Sequence, residues 1–262
     1  MTSPLDLFDV SGRSALVTGA TGAFGRAAAT ALAAAGARVT IAGGNAAVLD
    51  EVAAEIAAGG GSVESVARRP ETEEDAEAMV AAAVKAHGGL DIVVTASGTN
   101  KVAPIVEQSP EDWQAVMDAN VKGSWLVCRS AGRRMLEQGR GGKVVLVSST
   151  RGKLGLGAGY SAYCPSKAAV NLLAQTLACE WGPQGITVNA IAPTVFRSDL
   201  TAWMYAEEGP GKATREGMLA RIPLGRLGEP EDFVGALLYF SSRASDFCTG
   251  QVLYVDGGYT AG

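Results

Sequence analysis

Tyr163 and Lys167 stand four residues apart in the stretch YSAYCPSK (160–167). On a helix, side chains at that spacing project from one face. An ammonium beside a phenol favours the phenolate and lowers its pKa. A phenol so adjusted can give or take a proton near neutrality. Tyr160 has Cys164 at the same offset, which is uncharged at neutral pH, so Tyr163 is the candidate acid–base group. Pro165 is tolerated only in the first turn of a helix. The helix is therefore predicted to start close to Tyr163, with the phenol near the positive end of the helix dipole. Alone, a Tyr-x-x-x-Lys pair could equally be a solvated surface pair.

Around this pair the chain alternates short apolar runs with helical periodicity. The predicted strands are SALVT (14–18), RVTIA (38–42), VESVA (63–67), DIVVT (91–95), KVVLVS (143–148), TVNAI (187–191) and QVLYV (251–255). Between them lie an Ala-rich helix over about 24–35, one marked by Val48, Leu49, Val52 and Ile56, and one over 73–87. A long helix from Pro110 carries Trp113, Met117, Asn120 and Leu126, and the last spans about 231–240. Strands apolar throughout, each followed by a helix, predict a parallel sheet covered on both faces. No repeat or linker interrupts the pattern, so a single domain is expected. Ligands of such sheets bind beyond the carboxyl ends of the strands. Thr18-Gly19, Thr95, Ser148-Ser149 and Ala192-Pro193 all fall there.

Composition narrows the chemistry. Of 262 residues, 47% are apolar and 19% charged, which suits a large packed core. A net charge of −5 without basic runs argues against nucleic acid as a partner. No apolar run reaches membrane-spanning length, and MTSPLDLFDVSGR has neither the basic start nor the apolar stretch of a signal peptide. Cys128, Cys164, Cys179 and Cys248 lack CxxC spacing, so no disulfide framework or zinc site is expected and the cytosol is the expected compartment. The lone histidine, His87, rules out a multi-His metal site. It is expected at a helix end, where a basic residue suits the last carbonyls.

The first strand runs into TGATGAFG (18–25). Gly19, Gly22 and Gly25 let the chain turn tightly and let N–H groups approach a pyrophosphate at a helix N-terminus. The spacing is not GxGxxG, and a loop required only for packing would read the same way.

TG…G after the first strand, NVKG (120–123), VSS (147–149), YCPSK (163–167), ITVNAIAPT (186–194) and VDGG (255–258) stand in the order and spacing of the short-chain dehydrogenase/reductase family. The chain resembles that family over nearly its whole length. The resemblance implies an α/β, single-domain Rossmann-type fold: a doubly wound parallel sheet of about seven strands that carries both cofactor and catalytic residues. It also implies NAD or NADP as cofactor, a small carbonyl or alcohol substrate, and usually a homotetramer. By position, Tyr163 is the acid or base, Lys167 lowers its pKa and holds the nicotinamide ribose, Ser149 bonds the substrate oxygen, and Asn120 holds a relay water. Ser149 is preferred to Ser148 because the family's SxxG pattern fits STRG from Ser149; Thr150 is the reserve. The resemblance places Gly19, Thr21, Gly22, Ala23, Phe24 and Gly25 at the cofactor, followed by Ser97 and Gly98 after strand four and Pro193, Thr194 and Phe196 after strand six.

Departures from the family pattern are specific. Ala23 replaces the middle glycine, TASG (95–98) replaces NNAG, Arg68-Arg69 stand where an aspartate commonly holds the adenine, and Thr194 follows Pro193 in place of glycine. AGGN (42–45) ends strand two with neither the acid that marks NAD nor a basic residue for the NADP phosphate. Asn45 could bond either, and Arg69 tilts the reading to NADP. In the segment 197–222, Trp203, Met204 and Tyr205 could close over a substrate, with Gly-Pro-Gly (209–211) as the bend, or they could pack against another subunit. Arg151 and Lys153 could bind a carboxylate or phosphate, or be solvated. VSSTRGKLG and APTVFRS look most like sugar-acid members such as gluconate 5-dehydrogenases, with 3-oxoacyl thioester reductases as the rival. A dinucleotide-binding scaffold without catalysis is the competing class. A scaffold has no use for Tyr163, Lys167, Ser149 and Asn120 as a coupled set.

Overall fold

The computed structural model describes residues 3–261. Its strands are β1 (Ser14–Thr18), β2 (Arg38–Ala42), β3 (Ser62–Val66), β4 (Ile92–Thr95), β5 (Gly142–Val147), β6 (Ile186–Pro193) and β7 (Val252–Val255). They form one parallel sheet in the order β3-β2-β1-β4-β5-β6-β7. The connecting helices are α1 (Ala23–Ala34), α2 (Ala46–Ala58), α3 (Glu73–His87), α4 (Pro110–Met117), α5 (Gly123–Gln138), α6 (Tyr163–Trp181), α7 (Gly209–Leu219) and α8 (Pro230–Ser241).

Alternation of side chains along each strand explains why the strands are apolar throughout. Ala15, Val17, Ile92, Val94, Val145 and Val147 point to a layer filled by Leu32 of α1, Val52 of α2 and Phe233 and Leu237 of α8. Leu16, Val93, Val144 and Leu146 point the opposite way, against Met79 of α3, Val127 and Met135 of α5 and Val170 and Leu177 of α6. Each fully buried Leu, Ile or Val contributes roughly 1.5–3 kcal/mol, so two complete layers form the main stabilising term. The edge strand β3 is only partly covered and carries Glu64, which discourages pairing with another edge.

Strand order reverses between β1 and β4, where Thr18 pairs in register with Thr95. The chains leaving these two strands diverge and open a crevice, the expected place for a ligand. Gly19 has φ +69°, and a β-carbon on it would lie 2.5 Å from the backbone of Ala96 and Ser97. A β-carbon on Gly25 would fall on the carbonyl of Gly19. Both positions therefore require glycine.

Three expectations are corrected. The long helix from Pro110 is interrupted: α4 and α5 are joined by a π-type turn, Asp118–Lys122, with Asn120 at its centre. The Gly-Pro-Gly bend is the first turn of α7, with Pro210 at a position where its missing N–H is harmless. His87 does end α3, before Gly88 in the left-handed conformation (φ 81°), but its ring is buried rather than lying over the last carbonyls as a cation. Its Nε2 has no partner among the described residues, and burial holds its pKa below the usual value.

A histidine buried neutral opposes folding once the unfolded chain can protonate it, so stability falls as pH drops below about 6.5. His87 is the sole histidine. The melting temperature is expected to fall by a few degrees between pH 7 and pH 5, before the carboxylates titrate. His87→Phe should flatten that slope, as read by calorimetry; an unchanged slope would refute the assignment.

Candidate active site

β5 delivers Ser148 and Ser149 to the carboxyl edge of the sheet, and α6 starts with Tyr163 beside them. No side chain caps α6, and Pro165 occupies its first turn. Ser148 is committed to structure, because its Oγ donates to the carbonyl of Lys167 at 3.1 Å. Ser149 Oγ accepts from the N–H of Arg151 at 3.2 Å, which leaves its proton to donate. Of the two serines, Ser149 is the one free to bond a substrate oxygen.

Lys167 is buried and donates from Nζ to the carbonyl of Val147 at 3.0 Å. The same Nζ lies 5.7 Å from the centroid of the Tyr163 ring. Burial brings the Lys167 pKa down to about 8. The phenol does not follow the expectation drawn from its neighbour. Burial pushes the Tyr163 pKa up, and the groups that offset this are a hydrogen bond with Ser149 and, more weakly, the charge of Arg151. Desolvation therefore outweighs the Tyr-x-x-x-Lys spacing, and Ser149 is the main group favouring the phenolate.

Asn120 is fully buried. Its Nδ2 donates to the carbonyl of Thr99 at 3.0 Å and to Ser166 Oγ at 2.9 Å, and its Oδ1 accepts from Thr99 N at 2.7 Å. Both amide protons are thus used by the protein, where a relay water was expected. Ser166 Oγ in turn donates to the carbonyl of Tyr163 at 2.7 Å. Asn120 thereby ties the loop after β4 to the first turn of α6. A β-carbon on Gly98 would meet Asn120 Oδ1 at 3.0 Å and Lys167 Nζ at 3.6 Å, so this loop lies directly against the lysine.

The glycine loop fits a dinucleotide pyrophosphate. α1 begins at Ala23 with Gly22 as N-cap and no side-chain cap, so N–H groups of its first turn remain for an anion. A β-carbon on Gly22 would meet nothing closer than Gly19 O at 3.5 Å, so its bare face opens to space a phosphate can use. Ala23 is already helical and its methyl is half-buried, so the replaced glycine leaves the cradle intact. Thr21 packs over Gly43 at the end of β2. Across the crevice, Ser97 is half-buried beside Gly19, Pro193 ends β6, and Thr194 Oγ1 is buried with no partner among the described residues.

Other expected residues have different placements. Asn45 caps α2, its Oδ1 accepting from Val48 N at 3.3 Å, so that oxygen is not free for a ribose. The guanidinium of Arg69 lies against Gly44, where a β-carbon would collide with it. Phe196 is a core residue, 5.1 Å edge-on to Phe24, and so cannot present its ring to a cofactor. Trp203 is about half exposed, whereas Met204 beside it is buried. Arg197 lies 4.0 Å over the Tyr205 ring and pairs with Glu229 at 3.1 Å, anchoring the start of the covering segment. Arg151 is buried and donates to Tyr259 Oη at 3.0 Å. Tyr259 and Ser166 were missed in the sequence. Ser166 precedes Lys167 and could have been found from its offset of three to Tyr163, but nothing local marks Tyr259.

A family model described as enoyl-(acyl carrier protein) reductase matches residues 19–260. An uncharacterised oxidoreductase of Mycobacterium tuberculosis is 62% identical over 97% of this chain and 93% of its own length. Gluconate 5-dehydrogenase of Gluconobacter oxydans is 38% identical over 97% of each chain. The crystal structure of a gluconate 5-dehydrogenase from Burkholderia cenocepacia, in complex with NADP and tartrate, superposes with a TM-score of 0.92 at 30% identity, covering 99% of this chain and 100% of that one. Relatives alike from end to end share this sheet, and the chain accordingly belongs to the short-chain dehydrogenase/reductase family of NAD(P)-dependent oxidoreductases.

Proposed function

We propose that the protein oxidises a secondary alcohol of a sugar acid, or reduces the matching ketone, with NADP as hydride carrier and one domain holding the whole site. The observation that carries this reading is the Ser149 hydroxyl beside the Tyr163 phenol, over a buried Lys167, next to the open first turn of α1. When bound, the dinucleotide supplies or accepts the hydride. Tyr163 Oη takes the hydroxyl proton in oxidation, or protonates the alkoxide oxygen in reduction. Ser149 Oγ donates to that oxygen and orients it. Lys167 places positive charge beneath, while Asn120 and Ser166 fix the helix turn that presents the phenol. The sugar-acid class draws its support from the gluconate-oxidising relatives.

Loss of the phenolic oxygen removes the proton acceptor but leaves the glycine loop whole. Tyr163→Phe is expected to lower kcat at least about a hundredfold while NADPH binding, followed by fluorescence, stays within about threefold. Because burial raises the phenol's pKa, wild-type kcat/KM for oxidation should climb with pH above neutrality, while reduction, which uses the protonated phenol, should hold level until the phenol itself titrates. Turnover retained by the phenylalanine variant would refute the role.

NADP is preferred because a guanidinium, Arg69, packs on Gly44 where β2 ends and no carboxylate follows that strand. A 2′-phosphate there meets a cation and no repelling acid. Arg69→Ala should weaken NADPH binding roughly tenfold or more and leave NADH nearly unchanged, since a charged hydrogen bond is worth about 1.5–3 kcal/mol. Equal losses for both would remove the argument.

The same reading takes the enzyme to be a cytosolic homotetramer. The four cysteines are free thiols, which suits a reducing compartment. Trp113 of α4, Trp125 of α5 and Leu172 of α6 are 41%, 47% and 63% exposed, an apolar face suited to a second copy. Trp125→Glu should lower the mass measured by sedimentation below that of the wild type; a wild-type monomer would refute the assembly.

A further inference from the structure

We infer that Arg151 is a carboxylate-binding residue beside the reacting centre, which makes the substrate an anion and not a neutral polyol; this rests on the oxidoreductase reading above and sharpens its substrate class. Arg151 is only 9% exposed. One face of it lies 5.2 Å over the Tyr259 ring, and Nη2 donates to the Tyr259 hydroxyl at 3.0 Å. Nη1 is buried and has no partner among the described residues. Buried charges are normally paired, because a desolvated ion without a counter-charge is strongly unfavourable. A guanidinium with one nitrogen held and the other open has the planar fork that matches a carboxylate.

Its placement makes the missing counter-ion a substrate group. Arg151 is two residues beyond Ser149, holds Ser149 Oγ through its own N–H, and its charge is felt by the Tyr163 phenol. Ser149 and Tyr163 take the reacting oxygen, so a carboxylate on Arg151 would be the far end of the same small molecule. A second cation arrives from above. Arg221, just past α7 at the end of the covering segment, lies 4.4 Å from the same Tyr259 ring. Tyr259 is fully buried with Ile222 and Leu227. None of the ion pairs among the described residues includes Arg151, Lys153 or Arg221. Two guanidinium groups on one tyrosine, neither in an ion pair among the described residues, repel each other.

The test uses the full-length enzyme saturated with NADPH and two probes of equal length, D-gluconate and its neutral counterpart D-glucitol. Thermal-shift titration should show stabilisation by gluconate and none by glucitol. Arg151→Met should weaken the gluconate response by roughly 10- to 100-fold in concentration, and Arg221→Met by a smaller factor, while NADPH binding in both reports an intact fold. With NADP+, the ratio of kcat/KM for gluconate to that for glucitol should fall by a similar factor in Arg151→Met. Equal responses to the two probes in the wild type, or a gluconate response unchanged in both variants, would overturn the assignment. If Arg151→Met does not bind NADPH, the Arg221→Met result decides alone. Gluconate binding without turnover of either probe would leave the anion subsite standing and reject the proposed oxidation of sugar acids.

Discussion

Three stretches of backbone meet without side chains at the reversal of the sheet, and the site depends on that contact. Gly25 of α1 sits on the carbonyl of Gly19, and Gly19 sits on the peptide joining Ala96 to Ser97. A single methyl at either glycine would drive the layers apart. Because they touch, the open end of α1 faces the crevice and the loop after β4 is pressed towards α6. Gly98 continues the contact, lying against Asn120 and Lys167. The glycine loop and the first turn of α6 are therefore held by one stack of peptide planes, not by two independent loops.

Within that frame the electrostatics are set by the absence of water more than by proximity of charge. Lys167 has a carbonyl and an aromatic face for neighbours and no carboxylate among the described residues, and burial brings its pKa down to about 8. Tyr163 is weakened as an acid by the same burial. Two groups that lose hydration together move apart, the ammonium giving up its proton more readily and the phenol less, and the serine hydroxyl favours the charged phenol. The Ser149 hydroxyl, and not the lysine the spacing emphasises, is the main neighbour that lowers the phenol's pKa.

The sheet was readable because burial on both faces leaves long apolar runs, as at Val144–Leu146, and because glycines follow α1, α2 and α3. The start of α6 was readable because Pro165 admits few positions. What escaped depends on partners far along the chain. Arg151 and Tyr259 are 108 residues apart, and no local pattern announces their bond. Asn45 has the composition of a ribose ligand and of a helix cap alike, and the helix it begins takes the oxygen. Phe196 follows the strand end in the manner of a cofactor residue, yet the ring of Phe24 draws it into the core. Ser148 and Ser149 were separated by one carbonyl, that of Lys167.

The π-type turn at Asp118–Lys122 has a consequence for how this chain can vary. An α-helix advances 100° per residue, and a π turn holds one residue too many for its length. That surplus residue lets Asn120 face inward to Thr99 and Ser166 while α4 and α5 keep their own outward faces. Deleting any one residue there would restore a regular helix and remove the widened turn that holds Asn120 inward. Length in this helix is consequently more constrained than sequence: side chains on its surface can drift, but a gap of one would unseat the asparagine.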